Sequence, residues 1–188
     1  MEIAHILDAL YPLPEPSRQR IIAHVREIQL PKGHILFRAG KVETKICFIK
    51  KGIVRAFAEA GDHEITFWFG QEGDPVVSMN SYVDQQKGYE NIELLEDAVL
   101  YELPANSLQE LYLTDIHIAN WGRKFAEREL IKTEERLISR QFGTAADRYR
   151  DLLNNHPDLI RRVPLGHIAS YLGITQVSLS RIRAAINR

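Results

Sequence analysis

The residues with most chemistry to offer lie close together near the C-terminal end of the chain: Thr175, Gln176, Val177, Ser178, Ser180, Arg181 and Arg183. Arg181 can grip a guanine edge with two parallel hydrogen bonds, Gln176 can do the same for adenine, and Val177 suits a thymine methyl. The hydroxyls of Thr175, Ser178 and Ser180 and the guanidinium of Arg183 suit phosphate oxygens. Such side chains read a duplex only if one rigid element carries them into a groove. Leu179, Ile182 and Ile186 recur at helical spacing, which leaves the polar residues on the other side of the same helix. An earlier helix carries Ile168, Ala169 and Leu172 on its apolar face. Gly173 stands where a left-handed turn residue is required, and Thr175 can cap the second helix. The small Ala169, four residues before Gly173, lets the two helices cross closely. This is the spacing of a helix-turn-helix, whose second helix enters the major groove of double-stranded DNA. An ordinary core hairpin is the alternative, but from Arg161 onward the chain carries Arg161, Arg162, Arg181, Arg183 and Arg188 and no acid. That charge suits a polyanion.

The rest of the chain must position that element. Its 188 residues allow one large domain or two small ones, with apolar material enough for a core. A net charge of −1 hides an asymmetry. Residues 1–114 hold 17 acids and 11 bases, a net of −6, whereas residues 115–188 hold 8 acids and 13 bases, a net of +5. Only the back of the chain is therefore expected to meet nucleic acid. The single cysteine, Cys47, between Lys45-Ile46 and Phe48-Ile49, reads as a buried strand thiol, and excludes both a disulfide within the chain and a four-thiolate cluster from one chain. No apolar run is long enough to span a bilayer and no signal peptide is evident, so a cytoplasmic protein without a membrane partner is expected.

Residues 1–30 read as short helices, with Ile3, Ile6, Leu7 and Leu10, then a break at Tyr11-Pro12-Leu13-Pro14, then Ile21, Ile22 and Val25. From Ile35 the texture changes to strands near 35–38, 46–49, 53–59, 64–69, 91–94 and 98–103, with Gly-bearing turns between most of them. Many short strands at close spacing predict an antiparallel β-roll or jelly roll, a fold that encloses a small pocket. Asp115 can open a long helix to about residue 140. With residues about 100° apart on the helix, Ala119, Gly122, Ala126, Leu130, Thr133 and Leu137 form one narrow stripe, small in its first half. Pairing with a second copy through this stripe is the favoured reading, packing against its own chain the alternative. Gly143 should stop that helix and Thr144 cap the next. The division expected is a sensor domain at 1–114, a linking and dimerisation helix at 115–141, and a helix-turn-helix domain at 142–188.

This order resembles the Crp/Fnr family of bacterial transcription regulators. The resemblance rests on Lys32-Gly33-His34-Ile35-Leu36-Phe37-Arg38-Ala39-Gly40, on Phe48-Ile49-Lys50-Lys51-Gly52-Ile53-Val54-Arg55, and on Ile168-Ala169-Ser170-Tyr171-Leu172-Gly173-Ile174-Thr175 followed by Leu179-Ser180-Arg181-Ile182-Arg183. It implies an α+β chain: an N-terminal β-roll like a cyclic nucleotide-binding domain, a long dimerisation helix, and a C-terminal helix-turn-helix, here expected to lack a C-terminal wing. It also implies a homodimer on a two-fold symmetric operator, with RNA polymerase as a further partner if the protein activates. Gln176, Val177 and Arg181 match the family's base-contacting positions.

Members of that family that bind cyclic AMP hold its phosphate with a Gly-Glu segment and an Arg-Ser or Arg-Thr pair. The first segment falls here at Val77-Ser78, followed by Met79 and Asn80, and the second near Lys87 and Tyr89. The carboxylate is gone and no Arg stands in the second segment, while Glu90 and Glu93 would repel a phosphate if they faced the pocket. Cyclic AMP is therefore not expected; an apolar or different small effector, or none, is. No cofactor, metal site or catalytic residue is expected either. A cupin-type metal enzyme needs clustered His and Glu ligands, and a ligand-binding module acting through protein partners needs no arginine-rich end. Arg181→Ala is expected to cost about 1–3 kcal/mol on the selected DNA site and to blur specificity there. Equal affinity of variant and parent in a titration would remove Arg181 from base reading.

Overall fold

A computed structural model describes residues 1–186; Arg188, one of the five arginines above, lies outside the described residues. Two short helices open the chain, α1 (Ile3–Leu10) and α2 (Glu15–Ile22). Ile3, Ile6, Leu7 and Leu10 of α1 are all buried, as a one-sided helical pattern requires. Eight strands follow: β1 (Arg26–Leu30), β2 (Ile35–Phe37), β3 (Lys45–Lys51), β4 (Val54–Ala60), β5 (His63–Gly70), β6 (Pro75–Val76), β7 (Asn91–Leu94) and β8 (Ala98–Pro104), with the short helix α3 (Met79–Asp84) between β6 and β7. They form two antiparallel four-stranded sheets in the orders β1-β8-β3-β6 and β2-β7-β4-β5. The sheets face each other across Phe37, Cys47, Ile49, Val54, Ile92 and Leu100. Cys47 is fully buried in β3, and burial pushes its thiol up to about 12.

The β-roll and the expected strands are present, with three differences, one of them the short additional strand β6. Residues 26–30 are a strand, not the end of a helical region. They pair with β8 at the sheet edge in the register Ile28↔Leu100, and the polar flanks of this strand are exposed. Residues 79–84 are the helix α3.

The second half is helical: α4 (Ala105–Thr114), α5 (Ile116–Phe142), α6 (Ala145–Asn155), α7 (Pro157–Arg162), α8 (Leu165–Leu172) and α9 (Gln176–Ile186). Asp115 caps α5 by accepting from the N–H groups of His117 and Ile118, and Thr144 with Asp147 forms a capping box on α6. Gly143 ends α5, but in an extended backbone (φ −84°), so positive φ is not why glycine stands there. A Cβ would lie 2.7 Å from the Ser139 carbonyl oxygen.

The first half of α5 is buried through Ile118, Trp121 and Phe125, which join α1, α2, β3, β8 and α4 in one core. Trp121 is fully buried and its indole N–H donates to the Leu7 carbonyl (2.9 Å). It thereby pins α1 to α5 with both an apolar body and a polar tip. Trp121→Ala is expected to destabilise the protein by about 3–5 kcal/mol, read as a lower denaturant midpoint. A change under 1 kcal/mol would show that α1 and α5 are held by other contacts.

Candidate functional site

The side chains expected to read DNA sit on α9 and just before it. The turn that leads into it contains Gly173 at φ 70°, ψ 34°, in the left-handed region that glycine alone enters without steric cost. Thr175 accepts from the Ser178 N–H (3.2 Å), and its hydroxyl lies 3.0 Å from that of Ser178. Ala169, Leu172 and Leu179 bury the inner sides of α8 and α9. Thr175, Gln176, Val177, Ser180 and Arg181 are exposed on the outer side, with Ser178 and Arg183 half-buried. The seven residues therefore lie on one turn and helix, as their spacing predicts.

Arg162 is placed differently. It belongs to the stretch from Arg161 onward that carries no acid, yet its guanidinium is clasped by Glu72 (2.7 and 3.0 Å) and by Glu96, both from the β-roll. Burial alone would raise Glu72. Hydrogen bonds from Arg162 and from the Gly52 N–H outweigh it and hold the carboxyl down at about 2. Arg161 pairs with Asp158 one turn before it. Thus two of the five arginines are already partnered.

The clasp is part of a broader contact between the C-terminal helices and the β-roll. Ile53, Phe69 and Leu95 of the roll share a core with Leu152, Leu159, Ile168 and Leu172. The Phe69 and Tyr171 rings pack at 5.3 Å between centroids. Ser170 of α8 meets the free edge of β5: its Oγ accepts from the Thr66 N–H (2.9 Å), and its hydroxyl donates to the Glu64 carbonyl (2.9 Å). Beneath that edge, Arg55 is buried and donates to Thr66 Oγ1 (2.7 Å), Glu64 (2.8 Å) and Glu93 (2.7 Å). Arg148 ties two helix ends together, donating to the carbonyls of Gly143 (2.7 Å) and Leu172 (2.8 Å).

A cavity of about 810 Å³ opens between the β-roll, α3 and α5. Of the residues expected at a ligand, Val77, Met79 and Tyr89 line it. Ser78 is buried beneath and donates to Ser81 (3.2 Å). Asn80 and Lys87 are exposed and are not among the lining residues. From the expected stripe on α5, Gly122, Ala126, Leu130, Thr133 and Leu137 also line it. Gly122 is covered from within the chain, since a Cβ there would lie 2.5 Å from the Tyr112 ring of α4. Ala119 is half-buried, and Leu130 and Leu137 are 69% and 61% exposed. The two acids flanking the expected phosphate site part company: Glu90 faces the cavity, whereas Glu93 turns to Arg55.

Residues 27–115 match the family model of the cyclic nucleotide-binding domain. The chain is similar in structure to the catabolite activator protein of Thermus thermophilus (19% identity, TM-score 0.60, covering 97% of this chain and 86% of that one). It is similar to FixK2 from Bradyrhizobium japonicum (17%, TM-score 0.73, 87% and 84%). It is also similar to a Eubacterium rectale protein described as a transcriptional regulator of the Crp/Fnr family (16%, TM-score 0.73, 95% and 88%). The fold is that of the Crp/Fnr regulators. No curated protein sequence matches the chain significantly.

Within this Crp/Fnr fold, sequence reasoning missed Ser170, Arg55 and Arg148, which carry the contacts between the parts. The partners of Ser170 lie 104 and 106 residues away, beyond any local pattern, and those of Arg55 and Arg148 lie between 5 and 38 residues away on other elements or helix ends. His167, half-buried on α8, is lowered by burial and by the Arg55 charge, against the pull of Glu93 and Glu64. Because folding lowers both groups, acid weakens the contact: His167 from about pH 6.5 downward, Glu72 between pH 4.5 and about 2. Ser170→Ala is expected to loosen it at neutral pH by about 1–3 kcal/mol, since the buried Thr66 N–H loses its partner. Hydrogen exchange at the Thr66 amide is the readout, and unchanged protection in the variant would mean that α8 does not close this edge.

Proposed function

We propose that this protein is a transcription regulator that binds double-stranded DNA as a homodimer. On this reading α8 and α9 are the helix-turn-helix, α9 enters the major groove, and the β-roll cavity senses a small effector other than cyclic AMP. The observation that carries it is the exposed polar side of α9 and its cap, with Thr175, Gln176, Val177, Ser180 and Arg181 free for a partner. Base-reading and phosphate-binding types stand together there, on a helix held rigid from behind. The division of the chain at 1–114, 115–141 and 142–188 follows the same reading: sensor, connecting helix, DNA reader. The likeness to regulators along most of the chain supports it. So does Glu90 against cyclic AMP, because a carboxylate at the cavity wall repels a phosphate.

Homodimerisation rests on the second half of α5. Leu130, Ile131, Leu137, Ile138 and Phe142 are all about half or more exposed, on a helix too long for its own chain to cover. Among the described residues, no helix is long and apolar enough to cross a membrane.

Selection of bound sequences from a random duplex pool by the purified full chain tests the function. Enrichment of a two-fold symmetric site supports it. Failure with and without a metabolite extract would favour a sensor that acts through protein partners. Leu137→Glu is expected to convert dimers to monomers in sedimentation, and to lower affinity for the selected symmetric site by at least tenfold. An unaltered dimer would place the interface elsewhere.

A further inference from the structure

We infer that the cavity between the β-roll and α5 takes an apolar ligand carrying a protonated amine, with the Glu90 carboxylate as its counter-charge. This rests on reading the cavity as the effector site and names the chemistry of the effector.

Glu90 is only 6% exposed, yet it lines the cavity. Its Oε2 accepts from the neighbouring Tyr89 N–H (3.0 Å). Among the described residues no Lys, Arg or His forms an ion pair with it. The contrast with Glu93 is direct: two residues on, that acid has the buried Arg55 as its partner at 2.7 Å. Removing a carboxylate from water is costly unless a cation or several donors replace the lost hydration. The protein supplies one N–H, to Oε2, while Oε1 lies beside Gly88 with no side-chain cation as its partner among the described residues.

The surroundings fit an ammonium group on an apolar body. Phe67, Trp68, Tyr82, Tyr89, Tyr112 and Phe125 line the same space. Their ring faces attract a cation, and their bodies accept an apolar skeleton. Tyr89 reports the same field, its phenol raised by burial and then by the Glu90 charge. Gly88 keeps this corner tight: a Cβ there would lie 2.7 Å from Ser78 Oγ and 3.0 Å from Glu90 Oε1. The lining cations, Arg136 and Arg140, belong to the C-terminal part of α5. Arg136 donates to the Lys132 carbonyl and Thr133 hydroxyl of its own helix (both 3.2 Å). Glu129 also lines the cavity, but it is paired with Lys132 at 2.8 Å. Glu90 is thus the acid whose charge is left for a ligand. A volume of about 810 Å³ admits a molecule of drug-like size.

The test is equilibrium dialysis of the purified full chain at pH 7 with four probes: 2-phenylethylamine, tryptamine, 3-phenylpropionate and cyclic AMP. Saturable binding is expected for at least one amine, with both anions at least tenfold weaker. Glu90→Gln, which keeps the shape and the acceptor for the Tyr89 N–H, is expected to weaken the amine tenfold or more while leaving the circular dichroism spectrum unchanged. An anion binding as well as the amines, no saturable binding of either amine, or unchanged amine affinity in a folded Glu90→Gln would each overturn the proposal. DNA selection is a separate readout. Enrichment of a symmetric site without amine binding removes this inference and leaves the regulator, whereas amine binding without enrichment does the reverse.

Discussion

A strand at the edge of a sheet leaves a row of backbone groups that need partners. In this protein the edge of β5 meets that requirement with a side chain from the C-terminal helices. Ser170 both accepts from Thr66 and donates to Glu64, so one hydroxyl replaces a short piece of missing strand. Around it the Phe69–Tyr171 contact and the Arg162 clasp act over a wider area. Together they fix how α8 lies against the β-roll, and with α8 the orientation of α9. The cost of leaving Thr66 unpaired makes that arrangement specific: α8 cannot slide along the strand by one residue without losing both bonds.

The same edge connects to the cavity. Strand β7 has two faces, and consecutive residues serve different ends: Ile92 lines the cavity and Glu93 binds Arg55. Arg55 in turn holds Thr66, whose N–H reaches Ser170. Contacts therefore run unbroken from the cavity wall to the helix that carries α9. Each link is a hydrogen bond or ion pair with a buried member, so a shift in β7 is not absorbed by solvent. What the contact chain transmits depends on whether the elements it joins have a second arrangement.

How much of this was legible in the sequence depended on how local the cause was. The turn at Gly173 and the caps at Asp115, Thr144 and Thr175 were readable because cause and effect lie within four residues. Strand β1 was not, because an edge strand of sequence Arg-Glu-Ile-Gln-Leu buries little and its partner is β8, some 70 residues on. Arg162 is the sharper case. Local charge counting left it unopposed, whereas the fold brings Glu72 and Glu96 to it from 90 and 66 residues away. Glu90 and Glu93 both read from sequence as acids that would repel a phosphate if they faced the pocket. Choosing between them needed the position of Arg55, which no pattern near residue 90 contains.

The long helix α5 ties the cavity to an exposed apolar face. Its first half is spent on its own chain, through Ile118, Trp121 and Phe125. Its second half lines the cavity with Leu130, Thr133 and Leu137, and the same residues are exposed beside it. On the dimer reading, a second copy covering that face would also close the side of the cavity that α5 borders. A ligand and a second copy would then touch the same side chains, and each would change the free energy of the other by an equal amount. A ligand that fills the space between Glu90 and the apolar stripe presents its own surface to the partner helix, so pairing is strengthened where that surface is apolar and weakened where it is charged. On that reading, the sign of the response follows from the chemistry of the ligand's outer face.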